Sequence, residues 1–262
     1  MKQAIHCVLC ACCLLLFVQC AAGPEPHSLF GRKPNPDEAL QMLQEGNIRF
    51  STGKTKHPEA DAARFRLAGT ENQRDHAIAT VLSCSDSRVP VELIFDTGVM
   101  DLFVVRVAGN VCDTDEIGSI EYGLAHVHTP LFVMLGHTQC GAVTAVTHAA
   151  LGKGHALERN IPPLLENIIP AVQRAMEIHK DARGEAVLPY AIEENVWQGI
   201  EDLLLKSPAT FELVRSGKVK MAGAIYDVGT GVVSWLPPEK VDAIVAGVEA
   251  NPFRETDPFG ER

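Results

Sequence analysis

The sequence predicts an α/β fold in which helices flank a central, mostly parallel β-sheet. Three short apolar runs, at residues 77–83, 102–108 and 131–136, are rich in valine, isoleucine and phenylalanine. Such runs are typical of strands that are buried on both faces of a parallel sheet. Helical periodicity appears between them, and this alternation indicates a doubly wound sheet, which binds its ligands beyond the carboxyl ends of the strands.

The remaining elements follow in chain order. A first helix is predicted after Asn35, because Asn35 can cap it, Pro36 suits its first turn and Glu38 can complete a capping box. A fourth strand is predicted at 219–226, and residues 232–235 return from it as a hairpin. The later helices are predicted at residues 117–127, 141–151, 164–180, 191–205 and 208–215.

Length and charge limit the class of protein. The chain has 262 residues, which suits one large α/β domain; we assign residues 37–250 to it and residues 251–262 to a C-terminal tail. The formal net charge is −10 at pH 7. Since a nucleic-acid-binding surface needs clustered lysine and arginine, we expect no nucleic acid partner.

Residues 1–23 have the layout of a secretory signal peptide. Lys2 supplies one positive charge, an apolar run extends from Ile5 to Val18, and small residues follow. The run is shorter than the ~20 residues of a transmembrane helix, so the prediction is export to the periplasm. The proline-rich residues 24–36 are predicted to link this leader to the domain.

Cys20 leaves the processing of the leader open. A cysteine directly after the apolar run resembles a bacterial lipoprotein cleavage site, at which the cysteine carries the lipid and anchors the protein to the cell envelope. Gln19 departs from the small residue that usually precedes such a cysteine. Ordinary cleavage near Ala22 or Gly23, and an uncleaved membrane anchor, are the other two outcomes.

A metal site is predicted from Cys84, His137 and Cys140. Two thiols and an imidazole are ligands that Zn²⁺ favours, and three protein ligands leave a fourth tetrahedral position open, as in catalytic zinc sites. Cys84 ends the first predicted strand and His137 ends the third. A disulfide between Cys84 and Cys140 is the alternative, and Cys112 is predicted to be a buried free thiol.

Asp86 and Arg88 lie beside the predicted metal. Zinc can lower the pKa of a bound water from 15.7 toward ~7, which makes hydroxide available near neutral pH. Asp86 then has two roles open to it: a fourth ligand that closes the site, or an acceptor of a hydrogen bond from the zinc-bound hydroxide. A bidentate pair with Arg88 would hold Asp86 off the metal.

Four motifs together resemble the β-class carbonic anhydrases: CSDSRVP at 84–90, FVVRVAGN at 103–110, the pair Glu121-Tyr122, and GHTQCG at 136–141. The resemblance extends from about Asn35 to Trp235. It implies reversible hydration of carbon dioxide to bicarbonate and a proton by zinc-bound hydroxide. It further implies one Zn²⁺ per chain on Cys84, His137 and Cys140, and a catalytic dyad of Asp86 and Arg88. It also implies a homodimer or higher oligomer, in which the N-terminal helical arm packs on a partner subunit.

The same resemblance implies a substrate pocket lined by Phe103, Ala108 and Tyr122. The family commonly carries a glutamine nine residues before the first cysteine ligand, where this chain has Asp75. Gln73 is the substitute candidate: either the loop is longer by two residues and Gln73 reaches the pocket, or this contact is absent.

Two other functions stay open. A related zinc hydrolase would act on CS₂ or COS, and a non-catalytic binding or sensor protein would keep its zinc closed by Asp86. An intact Arg88 argues against the sensor. The proton released by hydration needs a route out of the site, and the sequence does not choose among five histidines: His126, His128, His148, His155 and His179.

Overall fold

The computed structural model describes residues 32–260 of the chain. The predicted leader, Cys20 and most of the predicted linker lie outside the described residues. Among residues 32–260, no helix combines the length and the apolar character that a membrane crossing requires.

A five-stranded sheet forms the centre of the described residues. Its strands are β1 (Ala79–Cys84), β2 (Leu102–Val107), β3 (Leu131–His137), β4 (Lys220–Tyr226) and β5 (Val233–Trp235). Their spatial order is β2-β1-β3-β4-β5; the first four strands are parallel, and β5 runs antiparallel to β4. The mostly parallel sheet predicted from the apolar runs is therefore confirmed.

Helices connect and cover these strands. The prediction missed the helices at Ala62–Ala68, Val91–Ile94 and Pro238–Glu249, and it did not foresee that the helix at Thr114–Glu121 continues as a π-helical turn over Tyr122–His126. Within residues 32–260 the α-helices are α1 (Pro36–Ser51), α2 (Ala62–Ala68), α3 (Val91–Ile94), α4 (Thr114–Glu121), α5 (Gly141–Ala150), α6 (Ile161–Glu166), α7 (Ile169–Ile178), α8 (Leu188–Lys206), α9 (Pro208–Arg215) and α10 (Pro238–Glu249).

The single helix predicted at 164–180 is wrong, because the chain forms α6 and α7 there. Pro170 lies in the first turn of α7. Inside a continuous helix its ring would clash with the carbonyl group four residues earlier, and its missing N–H would break a hydrogen bond. In a first turn neither cost arises, so the chain starts a new helix at this point.

Helix α1 begins with the predicted capping box at Asn35 and Glu38. Its buried residues pack on the core of its own chain, and packing of its exposed face on a partner subunit stays a prediction. The amide of Asn47 donates to the carbonyl groups of Ile94 and Gly231 at 3.1 and 2.9 Å. The backbone of Gly46 approaches the Phe95 carbonyl so closely that a Cβ would overlap it. The helix is thus part of the domain.

Apolar side chains of the strands alternate between two cores, one on each face of the sheet. Val81 and Val133 face the core that α1 and α3 cover, while Leu82, Phe132 and Met134 face the core that α4, α8, α9 and α10 cover. Because successive residues of a strand point to opposite faces, a strand buried on both sides reads as one continuous apolar run.

The order of the strands creates a crevice between the ends of β1 and β3. From β1 the chain crosses to β2 on one side, and it returns to form β3 on the other side of β1. Connections that leave neighbouring parallel strands in opposite directions leave a gap at their carboxyl ends, which is where such sheets bind ligands. Cys84 and His137 are the last residues of these two strands.

Candidate metal centre

Three side chains from three elements meet in this crevice. Cys84 ends β1, His137 ends β3, and Cys140 precedes the first turn of α5. All three residues are buried, and their candidate ligand atoms lie within 4.8 Å of one another. The structure therefore brings together the three residues that the sequence selected.

The His137 imidazole is oriented as a metal ligand would be. Its Nδ1 lies 2.9 Å from the carbonyl oxygen of Thr138, to which it donates. Its Nε2 is buried and has no hydrogen-bond partner. A histidine that ligates a metal through one nitrogen usually donates from the other to a carbonyl or carboxylate. Burying a nitrogen without a hydrogen-bond partner lowers the stability of a fold. A metal bound by Nε2 and the two thiols would explain why this nitrogen has no such partner.

Cys84 and Cys140 are both free thiols, so the alternative of a disulfide between them is wrong. The Cys140 thiol, together with His137 and the amide groups of Gly109 and Asp86, holds the pKa of Cys84 well below its usual range. The Gly109 and Asp86 amides donate to the Cys84 sulfur at 3.3 and 3.4 Å. The neighbouring Cys84 in turn raises the pKa of Cys140. Two soft sulfur donors and one imidazole nitrogen fit zinc.

Gly109 is required for the contact with Cys84. It has a φ of +77°, and a Cβ there would lie 2.7 Å from Cδ1 of Ile168 and 2.9 Å from Cβ of Ala142. Its carbonyl accepts a hydrogen bond of 2.8 Å from the amide of Asn195 on α8. No role was predicted for Gly109 or Asn195. The available signals were a glycine two residues after the end of β2 and an asparagine within an apolar helix.

Asp86 and Arg88 form a bidentate ion pair. Nε of Arg88 donates to Oδ1 of Asp86 at 3.0 Å, and Nη2 donates to Oδ2 at 2.7 Å. This pairing holds the pKa of Asp86 well below its usual range, so the carboxylate is ionised at neutral pH. Arg106, which sequence analysis did not single out, donates to the carbonyl groups of Cys84 and Asp86 at 2.9 and 2.7 Å. Asp86 is thus held by Arg88, and Asp86 is not one of the three grouped metal ligands.

The four predicted pocket residues separate into two locations. Ala108 follows β2 directly, and Val107 pairs with Cys84, so Ala108 lies at the metal end of the sheet. Phe103 pairs with Thr80, four residues before Cys84, which is about 13 Å away along the strand. Tyr122 lies beside Phe103, with ring centroids 6.0 Å apart.

Gln73 lies in a short 3-10 turn that precedes β1, so it too is at the amino end of the strands. A single chain therefore brings Ala108 to the metal ligands, but it does not bring Phe103, Tyr122 or Gln73 there.

Three of the candidate histidines contact other groups on the described surface. His126 lies against Tyr122 with ring centroids 5.3 Å apart, and His179 stacks on Tyr190 at 3.7 Å. His148 lies 3.5 Å from the carboxylate of Glu185. Of these three, His126 shares the aromatic cluster that contains two predicted pocket residues.

The family model described as carbonic anhydrase matches residues 79–233, which span strands β1 to β4 and the three grouped ligands. The chain belongs to the carbonic anhydrase family. It is 34% identical over 197 residues to carbonic anhydrase 2 of Mycobacterium tuberculosis (strain CDC 1551 / Oshkosh), covering 75% of this chain and 91% of that protein. It is 35% identical over 201 residues to the carbonic anhydrase of Mycolicibacterium smegmatis, covering 76% of this chain and 92% of that protein.

The solved structures agree with the class that the motifs predicted. The β-carbonic anhydrase CafA of Aspergillus fumigatus is similar with a TM-score of 0.58 and 26% identity, over 82% of this chain and 99% of that one. The prediction of a β-class carbonic anhydrase is therefore confirmed, and this chain is an enzyme of that family.

Replacing Gly109 with alanine is expected to weaken zinc binding by at least tenfold, which is the usual effect of losing a group that orients a metal ligand. The added Cβ must displace Ile168 or Ala142, and this moves the amide that contacts Cys84. Zinc affinity measured by competition with a chromogenic chelator tests the expectation.

Gly141→Ala is the matched control for this experiment. Gly141 is adjacent to Cys140, but a Cβ there meets nothing within 4 Å. We expect its zinc affinity to equal that of the wild type. Equal affinities for Gly109→Ala and Gly141→Ala would contradict the role given to the Gly109 amide.

Proposed function

We propose that this carbonic anhydrase catalyses the reversible hydration of carbon dioxide to bicarbonate and a proton, with one Zn²⁺ per chain. The observation that carries the proposal is the unpaired, buried Nε2 of His137 beside two free thiols, next to a carboxylate that is held by arginine. The names of the relatives support the same reaction.

Cys84, His137 and Cys140 would hold the zinc. When bound there, zinc supplies Lewis-acid activation of water, which yields a nucleophile near neutral pH. The Thr138 carbonyl fixes the ring of His137, and the amides of Gly109 and Asp86 stabilise charge on Cys84. These contacts keep Nε2 and the Cys84 sulfur directed toward one point.

Asp86 orients the attacking water by accepting its hydrogen bond. The pKa of this carboxyl group lies well below its usual range because of Arg88, so it remains an acceptor throughout the neutral range. Arg88 also occupies both Asp86 oxygens, which keeps the carboxylate from becoming a fourth ligand. This pairing favours the enzyme over the sensor with a closed zinc site. Ala108 adds a small apolar surface, which suits uncharged CO₂.

Replacing Asp86 with asparagine is expected to lower kcat for CO₂ hydration by about 10² or more, the loss usual when a group that orients a reactant is removed, and to leave zinc at one per chain. Stopped-flow hydration with a pH indicator at pH 8.5, together with zinc analysis, tests this. Asp37→Asn is the control, because Asp37 forms an exposed ion pair with Lys220 on the surface.

The hydration assay, together with an assay of sulfide release from CS₂ and COS, separates the competing functions. Equal rates for the wild type and Asp86→Asn would refute the role of Asp86. A wild-type protein that contains zinc but does not hydrate CO₂ would favour the sensor, and release of sulfide from CS₂ or COS in place of CO₂ hydration would favour the related hydrolase.

We further propose that the active enzyme is a homodimer or a higher homo-oligomer whose pocket is shared between chains. Tyr122 is 52% exposed, and it lies with Phe103 at the outermost strand, about 13 Å from Cys84 of the same chain. Because they lie that far from Cys84 of their own chain, any active-site pocket that they line belongs to a second copy of the chain. Two solved β-carbonic anhydrases from Sordaria macrospora are described as tetrameric.

A mixture of two inactive chains tests this sharing. We expect Asp86→Asn and Tyr122→Ala homodimers each to be impaired, because each has one defect in every site. In a hybrid, one site combines the intact Asp86 of one chain with the intact Tyr122 of the other. A statistical mixture should therefore recover about one quarter of wild-type activity. No recovery on co-expression would contradict a shared pocket.

We propose that the protein is exported, and that residues 1–23 are removed or carry its lipid anchor. The support is the sequence of the leader, with Lys2, the apolar run and Cys20 in the order that a signal peptide requires. The site of action is then the periplasm or the cell envelope.

Intact mass spectrometry of the protein recovered from cells is expected to show a chain that lacks the leader. A lipid-modified chain that begins at Cys20 would establish the anchor, and an unmodified chain that begins near Ala22 or Gly23 would establish a free periplasmic protein. A full-length mass in the cytoplasmic fraction would contradict export.

A further inference from the structure

Gln139 has an unusual backbone conformation between two metal ligands. It lies between His137 and Cys140 in the loop from β3 to α5, and its φ is +59°. A residue with a Cβ avoids this left-handed region, because the Cβ crowds its own carbonyl oxygen. Such a conformation persists only where surrounding contacts hold it, and it is found often at functional sites.

The contacts that hold Gln139 go to Arg88. Nη1 of Arg88 donates to the side-chain Oε1 of Gln139 at 3.1 Å, and Nη2 donates to its backbone carbonyl oxygen, also at 3.1 Å. The other side of the same guanidinium donates to both oxygens of Asp86. Arg88 therefore joins the Asp86 carboxylate to the loop that carries two of the three metal ligands.

Arg88 needs a second anchor because its side chain is 45% exposed. An exposed ion pair contributes little by itself, since water and side-chain freedom compete with it. Two further acceptors on Gln139 restrict the guanidinium to one position. With the position of Arg88 fixed, the Asp86 carboxylate is fixed as well.

We propose that Gln139 is a positioning residue of this site: its amide and carbonyl oxygens hold Arg88, and through Arg88 they keep Asp86 off the metal and aligned for the reaction. The inference rests on the proposed function. It assigns Gln139 no contact with substrate. Without the amide oxygen, Arg88 turns into solvent more often, and Asp86 is free to approach the metal ligands.

Gln139→Ala is expected to lower kcat by about fivefold to tenfold, with KM nearly unchanged, the size expected for loss of one partly exposed hydrogen bond. Gln139→Gly removes the same amide but relieves the left-handed strain, so it should lose the same activity without losing thermal stability. Gln139→Glu keeps an acceptor oxygen for Arg88 and should retain most of kcat. Gln41→Ala, which removes an exposed amide on α1, should be unchanged.

A double-mutant cycle separates positioning from general damage. In the Asp86→Asn background, Gln139→Ala should have no further effect on kcat, because its effect passes through Asp86. The same loss in both backgrounds would overturn the proposal, as would a Gln139→Glu variant as impaired as Gln139→Ala.

Azide binding to the Co²⁺-substituted protein, followed by its visible spectrum, gives a readout that does not depend on turnover. Azide and Asp86 compete for the open position, so Gln139→Ala should weaken azide binding severalfold, and the Asp86→Asn background should abolish that difference. Unchanged azide affinity in Gln139→Ala would overturn the proposal. Because this readout needs no hydration activity, it also distinguishes failure of the positioning role from failure of the proposed reaction.

Discussion

The parallel pairing of β1 with β3 is the constraint on which the site depends. Their register joins Ser83 to Leu135, so the next residues along both strands bring Cys84 beside the end of β3. The chain leaves the two strands in opposite directions, and the resulting gap admits the start of α5 with Cys140. Ligands that are far apart in sequence therefore meet without any long loop, on elements whose packing fixes them.

Three side chains tie the loops around this gap to one another. Arg106 on β2 donates to the carbonyl groups of Cys84 and Asp86, at the end of β1 and in the loop after it. Arg88 joins the loop after β1 to the loop after β3. Asn195 on α8 holds the loop after β2. Each tie uses a charged or amide donor on a backbone oxygen, so each loop is fixed by an element other than its own. Anchoring of this kind orients the candidate metal ligands.

The strands and the three ligands could be predicted from the sequence because both depend on local patterns. Continuous apolar runs identify buried strands, and a cysteine or histidine at the end of such a run lies at the ligand-binding edge. The contact of Gln139 with Arg88 and the close approach at Gly46 could not be predicted, because they depend on distant elements and on backbone dihedral angles. The break at Pro170 was predictable in principle, since proline excludes one continuous helix.

The residues predicted for the site lie in two groups, at opposite ends of the strands. The metal ligands and the Asp86–Arg88 pair are complete within one chain, and the contacts that orient them are internal. Phe103 lies on β2, the outermost strand of the sheet, and Tyr122 lies beside it; an edge strand is a place where another chain can associate. On our proposal, metal binding is then a property of the folded chain, whereas the substrate pocket is a property of the assembly.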